Sequence, residues 1–360
     1  MDIRPSDKKT VIGLSGGVDS TAAALLLKDG GHEVTGVFLD VLGNNSTGRD
    51  EAFEAAGQIG IDMISMDVSD EFDKTVISDF CHEYMAGRTP NPCVLCNPEV
   101  KFKYLLRAAH DIGAGRIATG HYARVACDEG RYYIYRAHDE KKDQSYVLYR
   151  LGQEYLSRLI LPLGDFGTKG ETRKLAGARG MANSEAKDSQ EICFIPKGTH
   201  YVNYLTNRGC GIKKGDYIDS AGNIIGAHQG IPNYTIGQRK NLGVAFGKPM
   251  FVVKIDGESG NVTLGCNEEL LQNEVFSKRN WFSKTDSGIM PEEYEGFQVT
   301  AKIRYSAALA EARIYRHDGE TVRTVFSKPQ RAVAPGQSIV FYSGDKVIGG
   351  GMIEAASNTL

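Results

Sequence analysis

A chain of 360 residues and 39.3 kDa is longer than one hydrophobic core ordinarily serves, so two or three domains are expected. Its 41% hydrophobic and 24% charged residues exclude a disordered or fibrous chain, and a net charge of −3 neither advertises nor excludes a nucleic-acid partner, because a local basic face suffices. The stretch Met1–Lys9 lacks the apolar core of a secretory signal and no run of about 18 apolar residues occurs, so a cytoplasmic protein without a membrane span is expected, its seven cysteines free, catalytic or metal-bound.

The elements begin with a β-branched apolar run, Thr10–Ile12, that stops at Ser15. Gly16 and Gly17 follow, and Thr21–Lys28 reads as a helix. Strand, tight turn and helix N-terminus in that order aim several backbone N–H groups at one point, on the positive end of a helix dipole. Gly16 and Gly17 let a phosphate approach without a Cβ in the way, Ser15 and Ser20 add hydroxyl donors, and Asp19 can cap the helix or hold magnesium. No lysine follows the glycines as a P-loop requires, and no G-x-G-x-x-G is present. The loop is an anion site of another kind.

Glu33–Leu39 reads as a second strand whose end, Phe38 and Leu39, lies beside that loop. A helix over Asp50–Ile59, a strand over Asp62–Met66 and a helix over Phe72–Met85 complete a βαβαβα pattern, the signature of a doubly wound parallel sheet. Three prolines between Gly87 and Pro98 argue against a regular element there. Asn97-Pro98-Glu99 reads as a helix start, which places Cys96 just ahead of an N-terminus where the dipole favours a thiolate. A strand over Arg116–Thr119 ends at Gly120, a second place for close backbone approach by an adenine. A hairpin is expected over Tyr122–Ala126 and Arg131–Tyr135, then an exposed basic-polar turn over Lys141–Tyr146, a basic helix over Gly167–Gly180, and a short apolar strand holding Cys193.

From about Tyr201 helical periodicity gives way to short strands and glycine-rich turns. The run Gly230–Gly243 offers two adjacent cations, Arg239 and Lys240. From about Trp281 the pattern is all-β, with strands over Phe297–Tyr305, Glu311–Tyr315 and Ser338–Tyr342 and a turn at Gly344-Asp345, which suggests a small barrel. The expected domains are 1–203, 204–277 and 278–360: an α/β domain, a small β-rich domain and a C-terminal β-barrel. Cys81, Cys127, Cys210 and Cys266 read as buried small hydrophobes.

The string Ser15–Ser20 resembles the PP-loop of ATP pyrophosphatases, which split ATP into AMP and pyrophosphate. With Thr89–Asn97, Ala118–Tyr122, Lys142–Tyr146, Asp188–Phe194, Tyr234–Lys240 and Pro335–Ser338 in the same order, the chain resembles the bacterial tRNA-specific 2-thiouridylase (MnmA/TrmU) family over nearly its full length. That resemblance implies an enzyme that adenylates the C2 oxygen of the wobble uridine and replaces it with sulfur. It would use ATP, Mg2+ and an upstream sulfur-donor protein. It implies ATP contacts at Gly13, Leu14, Ser15, Gly16, Gly17, Val18, Asp19, Ser20, Leu39 and Gly120. It implies tRNA contacts at His121, Lys142, Asp143, Gln144, Arg304, Tyr305 and Gln337, and the cations Arg239 and Lys240 are candidates for the same work. By the same resemblance Cys193 carries sulfur as a persulfide and Cys96 is the nucleophile that releases it.

One departure stands out: Cys93 occupies the position where the family usually has Asp. Two sulfur mechanisms follow. Either Cys93 is a bystander to a persulfide route, or Cys93, Cys96 and Cys193 ligate a 4Fe–4S cluster that carries the sulfide. Two other readings compete: a PP-loop ligase acting on a small molecule, which would need neither paired thiols nor two β-rich blocks, and a zinc-stabilised RNA-binding module, for which Cys93-x-x-Cys96 supplies only half the ligands.

Overall fold

Five parallel strands carry the N-terminal part of the chain: β1 (Ser6–Gly13), β2 (Glu33–Asp40), β3 (Asp62–Asp67), β4 (Ala114–Ala118) and, after the antiparallel hairpin β5 (Ala123–Asp128) and β6 (Arg131–Arg136), the short β7 (Leu159–Ile160). The computed structural model describes residues 6–166, 168–185, 192–243 and 249–357. Two compact units emerge, one built of residues 1–76, 93–194 and 345–348, the other of 77–92, 195–344 and 349–360.

In the first unit the strand order is β3-β2-β1-β4-β7, so the chain reverses its direction of growth between β1 and β4. The carboxyl ends of strands at such a switch point form a ligand crevice. Val11 and Ile12 on β1 are wholly buried, and helix α1 (Val18–Asp29) lies close because Ala22, Ala23 and Ala24 present no bulk. Helix α2 (Ser46–Ile59) starts where the Asn45 side chain accepts from the Gly48 N–H at 3.0 Å, and ends at Gly60 in the left-handed region. The hairpin β5–β6 is present as expected, and Tyr135 on it pairs with Lys346.

Several local expectations fail, each for a physical reason. The proline-rich segment is helical from Pro92, which sits at the first helical position where its missing N–H costs nothing; the helix runs from Pro92 to Cys96, widens over Asn97–Phe102 and continues over Lys103–Asp111. Pro98 lies inside the widened turn, where a lost amide is tolerated. Asn97 therefore does not cap a helix; its side-chain N–H donates to the Val147 carbonyl at 2.8 Å. Segment 141–146 is not a solvated turn: Asp143 is 3% exposed, and Ser145 and Tyr146 are wholly buried. Cys193 lies in a turn rather than a strand, and Asp188–Glu191 lie outside the described residues. Cys127 and Cys266 are exposed, and Cys81 and Cys210 half-buried, so none of the four is a core hydrophobe.

The second unit takes in a helix at Ser78–Met85 and another at Tyr201–Asn207, where the sequence suggested that helices had ended. Strands β8 (Gly215–Ile218), β9 (Ile224–His228), β10 (Phe251–Ile255) and β11 (Val262–Gly265) form a sheet of order β10-β11-β8-β9 over a core of Tyr217, Val252, Val262 and Leu264. Strands β12 (Leu271–Phe282), β13 (Phe297–Lys302), β14 (Ala310–Arg316), β15 (Val322–Arg331), β16 (Ser338–Ser343) and β17 (Lys346–Ser357) follow in the order β12-β15-β14-β13-β16-β17. β12 also pairs with β17, which closes the six strands into the expected barrel. Among the described residues no helix is long and apolar enough to cross a membrane.

Candidate nucleotide and thiol site

The turn after β1 is held by its own hydroxyls. Ser20 Oγ donates to the Gly17 carbonyl at 2.9 Å and accepts from the Ser15 N–H at 3.3 Å, and Ser15 Oγ accepts from the Gly17 N–H at 3.4 Å. Gly16 has φ +79°, and a Cβ there would stand 2.9 Å from Glu51 Cβ on α2. Gly17 is different: its φ is ordinary and among the described residues a Cβ would meet only Ser15 Oγ, so their packing does not demand glycine. The open space over Gly17, with Ser15 and Gly17 exposed, is a cradle that a ligand can enter. Leu14 and Val18 are buried at 1% and 4%, so these two can offer a ligand only their backbone.

Asp19 does not cap α1; its Oδ1 accepts from the Tyr122 hydroxyl at 2.9 Å, and that hydroxyl also meets Thr172 Oγ1 at 2.9 Å. Asn183 grips the same loop, its side-chain N–H donating to the Gly16 carbonyl at 2.5 Å and to Thr21 Oγ1 at 2.8 Å, while its buried Oδ1 has no partner among the described residues. Neither Tyr122 nor Asn183 was assigned a part in the nucleotide loop from sequence, because each comes from more than 100 residues away. Gly120 abuts the loop as well: a Cβ there would lie 2.8 Å from the Asp19 and Ser20 backbone, so glycine is required by this close packing. Leu39, half-buried near the end of β2, is two residues beyond the Gly13–Val37 pair and so borders the loop. Asp40, next to it, shapes the following turn by accepting from the Leu42, Gly43 and Asn45 N–H groups.

The thiols belong to the same unit. Cys96 sits within the helical run rather than ahead of it, and desolvation raises its pKa, against the lowering influence of Lys101. Cys193 is pushed up to about 12, chiefly by desolvation, then by the neighbouring Cys96 and Cys93. The three thiols are thus within electrostatic reach of one another. Lys101 is the nearby cation that favours the ionised forms of Cys96 and Cys193. His121 is held neutral by burial and then by Lys101; its Nδ1 meets Thr119 Oγ1 at 2.8 Å.

Of the candidate RNA contacts, Asp143 is committed internally: it accepts from the Ala137 and Ser145 N–H groups at 3.1 Å and from Ser145 Oγ at 2.9 Å. Gln144 Oε1 accepts from the Tyr122 N–H at 2.9 Å, and Lys142 is half-buried. In the second unit, Gln337 donates to the Thr89 carbonyl at 2.9 Å and so anchors the start of the Thr89–Asn97 motif. Arg304 donates to the Arg331 carbonyl at 3.2 Å, Tyr305 is 42% exposed, and Arg239 and Lys240 are both exposed.

Residues 8–197 match the tRNA methyl transferase HUP domain, residues 203–266 the tRNA methyl transferase PRC-barrel domain, and residues 275–353 the aminomethyltransferase beta-barrel domain. Curated relatives named tRNA-specific 2-thiouridylase MnmA align end to end. The protein of Clostridium acetobutylicum is 43% identical, covering 97% of this chain and 100% of its own, and that of Desulforudis audaxviator is 44% identical, covering 96% and 98%. The chain belongs to the tRNA-specific 2-thiouridylase family. Among solved structures, NMN synthetase from Francisella tularensis covers 57% of this chain and 79% of its own at TM-score 0.35 and 16% identity, too distant to add to the argument. In 2-thiouridylase terms, the N-terminal HUP match spans both the loop after β1 and all three thiols.

Proposed function

We propose that this enzyme is a tRNA-uridine 2-sulfurtransferase that uses ATP to activate the C2 oxygen of the wobble uridine. The observation that carries the reading is one unit holding both an open glycine cradle at a sheet switch point and the thiol of Cys193 with Cys96 and Cys93 as its neighbours. A uridine C2 carbonyl resists substitution because oxide is a poor leaving group. Its oxygen attacks the α-phosphorus of ATP and pyrophosphate leaves; the cradle's N–H groups and the helix dipole stabilise the phosphate charge. Asp19, beside the cradle, suits a magnesium ion brought in with the nucleotide.

Sulfur then displaces AMP. The terminal sulfur of a Cys193 persulfide, loaded by an upstream donor protein, attacks C2 and AMP departs. Cys96 thiolate next attacks the Cys193 sulfur, which breaks the S–S bond to the nucleoside and leaves 2-thiouridine with a Cys96–Cys193 disulfide. An external dithiol reductant restores both thiols. Lys101 favours the thiolates this sequence needs.

A second reading is favoured by one observation, the inclusion of Cys93 in the thiol group. Among the described residues no three His, Cys, Asp or Glu side chains are placed to hold one metal ion. Ligands of an iron–sulfur cluster bind separate irons, however, and three thiolates suit that donor set. Cys93, Cys96 and Cys193 would hold such a cluster, which supplies an open iron for sulfide. Pyrophosphate release that depends on tRNA, together with nucleoside analysis for 2-thiouridine, tests the proposal. Release with a small acceptor and no RNA would favour a PP-loop ligase instead.

A further inference from the structure

The second unit holds a cavity of about 630 Å³, walled by the start of the Tyr201–Asn207 helix, the end of β9 and the loop 233–243. Among the described residues its lining contains no carboxylate. The ionisable side chains facing it are His200, Tyr201, His228, Tyr234 and Lys240. Lys240 is exposed and makes no ion pair among the described residues. A cavity of that size and charge suits an anionic organic ligand.

Its aromatic walls are fixed in place. The Tyr201 ring stacks on Tyr84 with centroids 4.8 Å apart, and its hydroxyl donates to the Pro232 carbonyl at 2.7 Å. The Tyr234 ring stands edge-on to Tyr217 at 5.5 Å and to His228 at 5.2 Å. His228 Nδ1 accepts from the Gly230 N–H at 3.0 Å, so Nε2 carries the hydrogen and donates to the Gly260 carbonyl at 3.0 Å. Gln238 ties the loop by accepting from the Thr235 N–H and donating to the Lys240 carbonyl, and Asn241 follows in the left-handed region at φ +60°. The polar groups that face the space are chemically varied. His200 accepts from the Val202 N–H through Nδ1, which leaves Nε2–H as a donor, and Gln229 adds an exposed amide.

Fixed aromatic surface, an amide, a ring N–H and an ammonium with no carboxylate beside it among the described residues form the set that recognises a nucleotide: stacking for the base, amide and imidazole for its edge, ammonium for its phosphate. We infer that this cavity binds a single nucleotide unit. Its sources are an unstacked nucleotide of the RNA substrate or a free mononucleotide. This rests on the RNA substrate proposed above, and it adds a site remote in sequence from the loop and the thiols.

The test uses the full-length wild type and Ala227→Trp, which places an indole in the cavity from an exposed strand position. If the occupant is RNA, Ala227→Trp weakens tRNA binding about tenfold, the loss of one stacked base, and leaves ATP affinity unchanged. Ultraviolet cross-linking of wild type to tRNA then labels peptides within 200–207 or 227–243. If the occupant is free, uridine or adenosine monophosphate binds saturably without RNA, and the variant abolishes that binding. A wild type that thiolates tRNA, with no cross-link in either segment, no mononucleotide binding and no change of tRNA affinity in a natively melting variant, overturns this inference alone. Failure of the wild type to thiolate tRNA overturns the proposed function instead, and the mononucleotide arm then decides the cavity.

Discussion

The Tyr122 hydroxyl donates to Asp19 Oδ1 at 2.9 Å, joining residues 103 apart in sequence. Tyr122 is 2% exposed and packed in the same core as Leu14 and Val18, so the carboxylate at the mouth of the nucleotide loop is aimed from behind by a rigid ring. A hydrogen bond to a charged group contributes about 1.5–3 kcal/mol. Tyr122→Phe keeps the ring and deletes that bond. Its expected effect is a KM for ATP raised about tenfold, a smaller fall in kcat and unchanged tRNA affinity. Equal losses in kcat and tRNA binding would point to general misfolding instead.

Asp19→Ala and Ser15→Ala should abolish nucleotide activation while tRNA affinity stays within a few-fold. Ser15 is exposed on the cradle and Asp19 stands beside it, whereas Arg239, Lys240 and Arg304, three of the cations proposed for RNA, lie in the second unit. Pyrophosphate release and tRNA filter binding measure the two separately. Parallel loss of both would contradict this division.

How far the sequence reveals these features depends on how locally they are encoded. The β1–turn–α1 unit is legible because its glycines, hydroxyls and periodicity occupy eleven adjacent positions, 10 to 20. The barrel is legible because alternation and turn residues recur along it. Tyr122 and Asn183 were missed as loop partners because hydrogen bonds across more than 100 residues leave no periodic trace. Lys101 was missed because a lysine inside a helix reads as solvated surface, and only the fold places it near two thiols. The segment 141–146 misled because Asp, Gln and Ser look solvent-facing when their internal partners are unknown. Pro92 misled because proline breaks helices inside them yet starts them well.

Acid should destabilise the second unit through His228. Burial lowers its pKa below the ordinary 6.5, and its Nδ1 is occupied as an acceptor in the neutral form. Below pH 6.5 the unfolded chain takes up a proton that the folded chain resists, so stability falls as pH falls and levels off once the folded imidazole also protonates. Melting temperatures between pH 8 and about 5 should drop in wild type and drop less in His228→Gln, which keeps an amide in place of the imidazole. An identical pH dependence in both proteins would remove His228 from the account.

Arg304→Ala and Lys240→Ala should each weaken tRNA binding and reduce the slope of log K against log salt by about one unit or slightly less, the signature of one phosphate contact. Arg304 already donates to the Arg331 carbonyl, so its loss should also loosen the end of β15 slightly. An unchanged slope for both would make them ordinary surface charges.

Cys93 separates the two sulfur routes. Both need Cys96 and Cys193; only a cluster needs Cys93. Desolvation and the neighbouring thiols push the Cys193 thiol up, so iodoacetamide should label it slowly at pH 8, at a rate that rises with pH. Lys101→Met removes the nearby cation, raises both thiols further and should slow labelling again. A cluster would mask these thiols altogether, because coordination holds them deprotonated and shields them from alkylation. Anaerobic purification with iron analysis, followed by thiolation assays of Cys93→Asp, decides between the routes. The persulfide route predicts a colourless, iron-free wild type and a variant that thiolates tRNA fully, with a Cys96–Cys193 disulfide accumulating when reductant is withheld. A brown wild type, and a variant that loses iron and activity together, would refute that route and assign the sulfide to a cluster on Cys93, Cys96 and Cys193.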